Sequence, residues 1–202
     1  MNSTADYCGI LLAAGRSQRF GADKLMHPLA SGLSMAPMAC ISAATLQRVL
    51  PKTIAVVRPD QHSLIKQLAA QGIQTVTLAQ TNGGMGLSIT AGIAAANDAQ
   101  GWLIALADMP FIQPATITRV LAALKNGSPI AAPVYQGRRG HPVGFSASFG
   151  TALRALHGNA AGAHDILHRH AADIELIACN DQGVLTDIDT PRDLLTNPFI
   201  RA

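Results

Sequence analysis

Apolar residues along this chain fall into short unbroken runs, separated by longer stretches in which they recur every third or fourth position. The runs at 7–14 (YCGILLAA), 53–58 (TIAVVR), 74–78 (QTVTL), 102–107 (WLIALA) and 130–134 (IAAPV) predict strands. Helical spacing lies between them, at 36–49, 61–71, 86–98 and 114–126. Ile65, Leu68 and Ala69 show the i, i+3, i+4 pattern. Pro114 stands where a helix begins, and Gly72 and Gly127 where helices end. After residue 135 the pattern loosens into a glycine-rich turn, QGRRGHPVGF, then helices near 147–157 and 162–171, then a short terminal unit.

Strands that alternate with helices of this length predict an α/β fold with a mostly parallel sheet covered on both faces. Near-continuous apolar strands agree, because such strands are buried from both sides. In open sheets of this kind ligands bind beyond the carboxyl ends of the strands. The loops at 15–24, 79–86 and 108–113 fall there.

With 202 residues the chain fits a single domain, 1–202, able to bury roughly 70% of its surface. Its 49% apolar and 13% charged residues exclude a disordered chain. A net charge of +3 and 4% aromatics, not interleaved with basic residues, argue against nucleic acid as a partner. No apolar stretch approaches the roughly 18 residues of a membrane helix. Asp6 and the lack of a basic region before the first apolar run make a poor signal peptide. Cys8, Cys40 and Cys179 show no CxxC spacing, which fits a reducing, cytoplasmic setting, with Cys8 an inert core thiol.

Chemistry concentrates in four stretches. In GRSQRFGADKL, Gly15 and Gly21 accompany Arg16, Arg19 and Lys24 directly after a strand. The spacing matches neither Walker A nor GxGxxG, yet a glycine turn with backbone N–H groups and cations suits a polyphosphate. A solvated basic loop would look the same. In ADMPF, Asp108 follows an apolar strand and Pro110 stops it. A carboxylate there can hold a hard cation such as Mg²⁺, or merely begin a turn or cap a helix. In TNGGMGLSITAGI, Gly83, Gly84 and Gly86 permit close backbone approach to a ligand, and Ser88 falls in the first helical turn. In TDIDTPRDL, Asp187 and Asp189 face one way in an extended segment, and Thr190 can cap a helix opened by Pro191. His164 and His168 share a helix face, but no HExxH glutamate or nearby cysteine accompanies them, so a zinc site is not expected.

Together, LAAGRSQRFGADKL, GGMGLSITAGI, LADMPF, GRRGHPVGF and DIDTPRDL, in this order over residues 9–195, resemble the nucleotidyltransferases that attach a nucleotide to molybdopterin. Within that family the likeness is greatest to the cytidylyl-transferring branch, since guanylyl-transferring relatives carry LAGG where this chain has Leu12, Ala13, Ala14 and Gly15. The resemblance implies a three-layer α/β/α Rossmann-like nucleotidyltransferase fold, with a nucleotide-binding part at about 7–135 and an acceptor-binding and C-terminal part at about 136–195. It implies Mg²⁺-dependent transfer of CMP from CTP to the phosphate of molybdopterin, with a molybdenum enzyme as the eventual recipient. Carried over position by position, Arg16, Lys24 and Asp108 are expected to be catalytic. Leu12, Ala13, Ala14, Gly15, Arg16, Lys24, Gly84, Gly86 and Ser88 match the nucleotide side. Arg138, Arg139 and His141 match the acceptor side, and Asp108 and Asp189 match the metal positions, Asp187 less securely. The chain departs from the family's GDxGAR-like turn, reading GNAAGAH from Gly158 to His164, which touches the acceptor side alone. Two other readings stay open. One is a related transferase using GTP or a phosphosugar acceptor. The other is a non-catalytic carrier of the cofactor, against which Lys24, Asp108 and Asp189 argue.

Overall fold

The computed structural model describes residues 7–17, 19–31, 34–80, 84–157 and 159–201. The strands are β1 (Tyr7–Leu12), β2 (Pro28–Ser31), β3 (Ser34–Pro37), β4 (Thr53–Val57), β5 (Gln74–Thr77), β6 (Gly101–Leu106), β7 (Ile130–Tyr135), β8 (Arg138–Arg139), β9 (Val143–Ser146) and β10 (Ile174–Ala178). The helices are α1 (Met38–Val49), α2 (His62–Ala70), α3 (Gly84–Ala95), α4 (Pro114–Lys125), α5 (Gly150–Arg154), α6 (His164–Arg169), α7 (Pro191–Thr196) and α8 (Pro198–Arg201). All five predicted strands are present, and the four longer predicted helices keep their places within a few residues. Gly72 and Gly127 end α2 and α4 in left-handed backbone, φ +73° and +101°.

Among the described residues eight strands form one sheet in the order β10-β7-β9-β6-β1-β4-β5, with β8 paired to β7, while β2 and β3 make a separate hairpin. Side-chain parity along the central strands builds the three layers. Leu11, Ala55, Val57, Leu103 and Ala105 face one core, with Ala43 and Leu46 of α1, Leu64 and Leu68 of α2, and Ile117 and Val120 of α4. Cys8, Ile10, Ile54, Val56, Trp102 and Ile104 face the other, with Ile89 and Ile93 of α3, Leu153 of α5 and Leu167 of α6. Both faces of every central strand are therefore sealed, as the unbroken apolar runs require. Cys8 is fully buried within the second core, and burial pushes its thiol up to about 11, so it is un-ionised and inert at neutral pH.

The sheet is mostly parallel, as expected, apart from the short β8 and, between β6 and β7, β9. This strand runs antiparallel to both neighbours, with Val143 opposite Ile104 and Ile130 opposite Phe145. The segment read as a glycine-rich turn thus supplies a sheet strand, and β9 is inserted between β6 and β7. Gly144 permits it, because a Cβ there would stand 2.7 Å from Leu124 of α4. The chain leaves β1 toward β4 and leaves β6 toward β7, in opposite directions along the strand order, so a crevice opens beyond their carboxyl ends.

Candidate active site

Asp108 lies two residues past β6 in that crevice. Its carboxylate does not cap α4. That duty falls to the buried Asp181, which accepts from the Gln113 backbone N–H at 2.9 Å and the Thr116 hydroxyl at 2.7 Å. The C-terminal unit reaches the same point because the Ile188 backbone N–H donates to the Asp108 carbonyl at 3.0 Å. Ile188 is fully buried between Phe20, Leu29 and Met38. Asp189 is then held by its own backbone N–H, which donates to Asp193 at 2.9 Å. Asp193 also completes a capping box with Thr190 at the start of α7, the helix that Pro191 opens.

Lys24 closes the arrangement. Its Nζ donates to Asp108 Oδ2 at 2.8 Å and to Asp189 Oδ1 at 2.7 Å, and its side chain is only 8% exposed. Arg19 takes the other Asp189 oxygen at 2.7 Å. Burial works against the lysine charge, but its hydrogen bonds to Asp108 and Asp189 outweigh it, and its pKa is raised. Burial likewise opposes the Asp189 charge, yet Lys24 and then Arg19 hold that carboxyl below its ordinary value. Asp187, solvent-exposed beside Asp189, is pushed up by partial desolvation first and by the Asp189 charge second.

The glycine loop after β1 is braced from behind by two residues that the sequence reading passed over. Arg58 Nη1 donates to the carbonyls of Ala14 and Gly15, the first at 3.3 Å. Gln61 Nε2 donates to the Ala13 carbonyl at 3.1 Å, and its Oε1 accepts from the Arg58 backbone N–H at 2.7 Å. Ala13 itself is fully buried in the core. Arg58 ends an apolar strand run directly before Pro59, the same strand-end signal that singled out Asp108.

Three adjoining cavities line the crevice, all touching Leu12. The first, about 430 Å³, is bounded by Gly15, Arg16, Ser17, Lys24, Asp108 and Asp189. The second, about 420 Å³, adds Ala14, Leu78, Gly84, Leu87 and Ser88. Gly83 lies outside the described residues. Because α3 begins at Gly84, Ser88 stands in its second turn rather than the first. Gly86 turns away from the cavity. Its N–H donates to the Asn159 carbonyl at 2.9 Å, and a Cβ there would stand 2.2 Å from the Leu156 carbonyl oxygen. Its missing side chain serves close packing of the α3 start on the 156–159 turn.

The third cavity, about 250 Å³, is mainly apolar, with Met85, Ile104, Val143 and Phe145 among its walls and Arg139, His141 and His164 as its polar groups. Arg138 and Arg139 are exposed on β8, and only Arg139 of the pair reaches the cavity. Gly140 bonds Pro133 and His141 bonds Val184 through their backbones, at 2.8 and 3.0 Å. A Cβ on Gly140 would stand 2.3 Å from the Val184 carbonyl oxygen, so glycine is required for this approach. His141 Nδ1 is sealed from solvent and has no hydrogen-bond partner. Burial lowers the ring's pKa, and the nearby Asp108 charge only partly offsets this. Asn159 fills the departing turn by accepting from the Ala161 N–H at 2.9 Å and donating to Asp165 at 3.2 Å. Gly158 lies outside the described residues.

A basic glycine loop, a carboxylate pair beyond adjacent parallel strands and an elongated crevice are the parts of a nucleotide-handling α/β protein. The chain belongs to the family of the MobA-like NTP transferase domain, whose pattern matches residues 9–174. It is 28% identical over 190 residues to nicotine blue oxidoreductase of Paenarthrobacter nicotinovorans, covering 90% of this chain and 91% of that protein. Its fold superposes on Rv0371c of Mycobacterium tuberculosis H37Rv with a TM-score of 0.79, 22% identity and full coverage of both chains. A second structure of Rv0371c, complexed with manganese, matches with a TM-score of 0.71 and 22% identity over 88% of this chain and 89% of that one. A nucleotidyl transferase from Methanothermobacter thermautotroptrophicus matches with a TM-score of 0.74 and 19% identity over 94% of each chain. The three-layer fold is thus that of nucleotidyltransferases. Among the described residues no helix is long and apolar enough to cross a membrane.

Proposed function

We propose that the protein transfers CMP from CTP to the terminal phosphate of molybdopterin or its molybdenum-bearing form, releasing pyrophosphate, in the cytoplasm and for a recipient molybdenum enzyme. The observation that carries the reading is the cluster of Lys24, Asp108 and Asp189 at the mouth of a crevice that begins at a glycine loop and ends in an apolar cavity with an arginine and a histidine. The Gly15 turn and Arg16 receive the β- and γ-phosphates, with Lys24 donating to them. The nucleoside lies along Ala14, Leu87 and Ser88. Arg139 and His141 hold the acceptor, whose phosphate oxygen attacks the α-phosphorus. One P–O bond forms there as the bond to the pyrophosphate oxygen breaks. Charge accumulating on pyrophosphate falls where Arg16 and Lys24 donate. The attacking phosphate is already anionic, so no general base is required.

The donor set fits a hard divalent cation, for which we propose Mg²⁺. Asp108 and Asp189 already hold one cation, the Lys24 ammonium, between their oxygens. Mg²⁺ characteristically uses one or two carboxylates together with substrate phosphates rather than an all-protein cage. When bound, it neutralises and orients the α-phosphate. The manganese complex of Rv0371c supports a divalent metal on this fold.

Purified protein incubated with Mg²⁺, each of the four nucleoside triphosphates and a molybdopterin source tests the reading. Pyrophosphate release with CTP that depends on molybdopterin is expected. Release with a phosphosugar in place of molybdopterin, or with GTP in preference to CTP, would redirect the acceptor or the base. No release with any triphosphate would overturn transferase function, leaving a carrier or a chain that has taken up redox chemistry on this fold.

A further inference from the structure

The site as assembled holds a contradiction that points to how it works. Lys24 is expected to serve the triphosphate, and Asp108 and Asp189 a metal ion, yet the lysine occupies the carboxylates. Its ammonium bonds Asp108 Oδ2 and Asp189 Oδ1 at 2.8 and 2.7 Å, and Arg19 takes Asp189 Oδ2. A divalent cation seats on such oxygens at about 2.0–2.6 Å, so an ion bridging the two carboxylates would enter the space between them that the ammonium fills. Two cations crowded onto one carboxylate pair repel, and the lysine, at 8% exposure, is only partly screened by solvent.

The lysine has somewhere else to go. Lys24 and its two carboxylates line the 430 Å³ cavity together with Gly15, Arg16 and Ser17. Rotation about side-chain bonds carries Nζ from the carboxylates into that space without moving the backbone, where Leu25 anchors the turn by burial.

We propose that Lys24 and a divalent metal ion are alternative occupants of the Asp108–Asp189 seat, exchanged when a nucleoside triphosphate draws the ammonium onto its phosphates. This rests on the nucleotidyltransferase reading and adds its control. Without nucleotide the lysine neutralises the carboxylates and keeps metal affinity low. With nucleotide the carboxylates are released and the metal binds. By linkage, metal must raise nucleotide affinity by the same factor. The chain thereby guards two adjacent carboxylates against adventitious cations until substrate arrives.

The test is Mn²⁺ binding to the whole protein, followed by the electron paramagnetic resonance signal of free Mn²⁺, for wild type and Lys24→Met. Methionine keeps the length and apolar stem and removes the charge. Without nucleotide, Lys24→Met is expected to bind Mn²⁺ at least ten-fold more tightly than wild type. A non-hydrolysable CTP analogue should tighten Mn²⁺ binding to wild type by a larger factor than binding to the variant. Equal or weaker affinity in the variant, or equal enhancement by the analogue, overturns the exchange while leaving the metal site standing. No Mn²⁺ binding to either protein, with or without analogue, overturns the exchange and the metal reading together. Should Lys24→Met fail to fold, wild-type crystals grown with the analogue and Mn²⁺ decide the matter. Lys24 Nζ must then be beyond hydrogen-bonding distance of both carboxylates, and a seated metal with both lysine bonds kept overturns the proposal.

Discussion

The Ile188 backbone N–H and the Asp108 carbonyl oxygen meet at 3.0 Å, joining two segments eighty residues apart in the chain. That single bond, pinned by the buried Ile188 side chain, lays DID alongside ADMPF and sets Asp189 next to Asp108. The Asp108 carboxylate does not take the helix-capping role that its position in the sequence also allowed.

Asp108→Asn keeps the side chain's size and its distance from Lys24 but removes its charge. Turnover is expected to fall by about 10²–10³-fold, the scale for losing one preorganised electrostatic partner of the reacting group. The fold, read by circular dichroism and thermal melting, should persist, because the bond to Ile188 uses the backbone. Near wild-type pyrophosphate release would remove Asp108 from the metal seat.

Much of this frame was legible from the sequence. The central strands are unbroken apolar runs, and their odd and even positions sort into the two cores without exception at Cys8, Ile10 and Leu11. β9 was hidden because only Val143 and Phe145 of its four residues are apolar, amid glycines and beside Pro142. β10 was hidden because it is an edge strand that buries only Ile177 and shows no alternation of buried and exposed residues. Lys24, Asp108 and Asp189 were each identifiable at a strand end or loop. Their mutual bonds were not, since they span 84 and 165 residues of chain and depend on which strands become neighbours.

Arg58→Ala should unbrace the glycine loop. Two carbonyls, of Ala14 and Gly15, lose their guanidinium donor, and the N–H groups on the same turn lose their aim. The KM for the triphosphate is expected to rise about ten-fold, the cost of one charge-assisted hydrogen bond, with the acceptor KM unchanged. Arg58→Lys should recover only part of the loss, because a compact ammonium cannot reach the two carbonyls while also keeping the bond that Nε makes to Asp60 at 2.9 Å. Equal damage to both KM values would make Arg58 a general structural residue.

Replacing Arg138 and Arg139 together by alanine should raise the acceptor KM and leave CTP binding unchanged. Arg139 reaches the apolar cavity and Arg138 lies beside it on exposed β8, so an anionic group entering there meets both fields. Steady-state kinetics with each substrate varied in turn will show it. A matching rise for CTP would move β8 to the nucleotide side.

His141 should make stability depend on pH below neutrality. An unfolded histidine takes its proton near 6.5, whereas burial holds the folded ring lower. Between those two values the unfolded chain binds more protons, so stability is full above pH 6.5 and declines as pH falls through the folded value. Urea midpoints at pH 7.5 and 5.5 should therefore differ more in wild type than in His141→Gln, a comparison in which carboxylates common to both proteins cancel. An identical difference in the two proteins would show that the buried ring does not govern this window.

Base choice should turn on Ala14. Its position lines the cavity proposed for the nucleoside with Leu78, Leu87 and Ser88, at the place where guanylyl-transferring relatives of the resembled family carry glycine. The methyl group narrows that space, and a pyrimidine needs less of it than a purine. Wild type is expected to favour CTP over GTP, and Ala14→Gly to narrow the ratio of their kcat/KM values by about ten-fold, the scale for one carbon in an apolar pocket. The preference should not reverse. Glycine removes an obstruction but brings no hydrogen-bond partner for guanine, and strong polar discrimination requires one. The Ala14 carbonyl still receives Arg58 in the variant, so the loop should keep its brace and the change should stay confined to the base. A ratio left unmoved by the substitution would place the base elsewhere in the crevice, and a wild type that favours GTP would overturn the cytidylyl assignment while leaving the transferase intact.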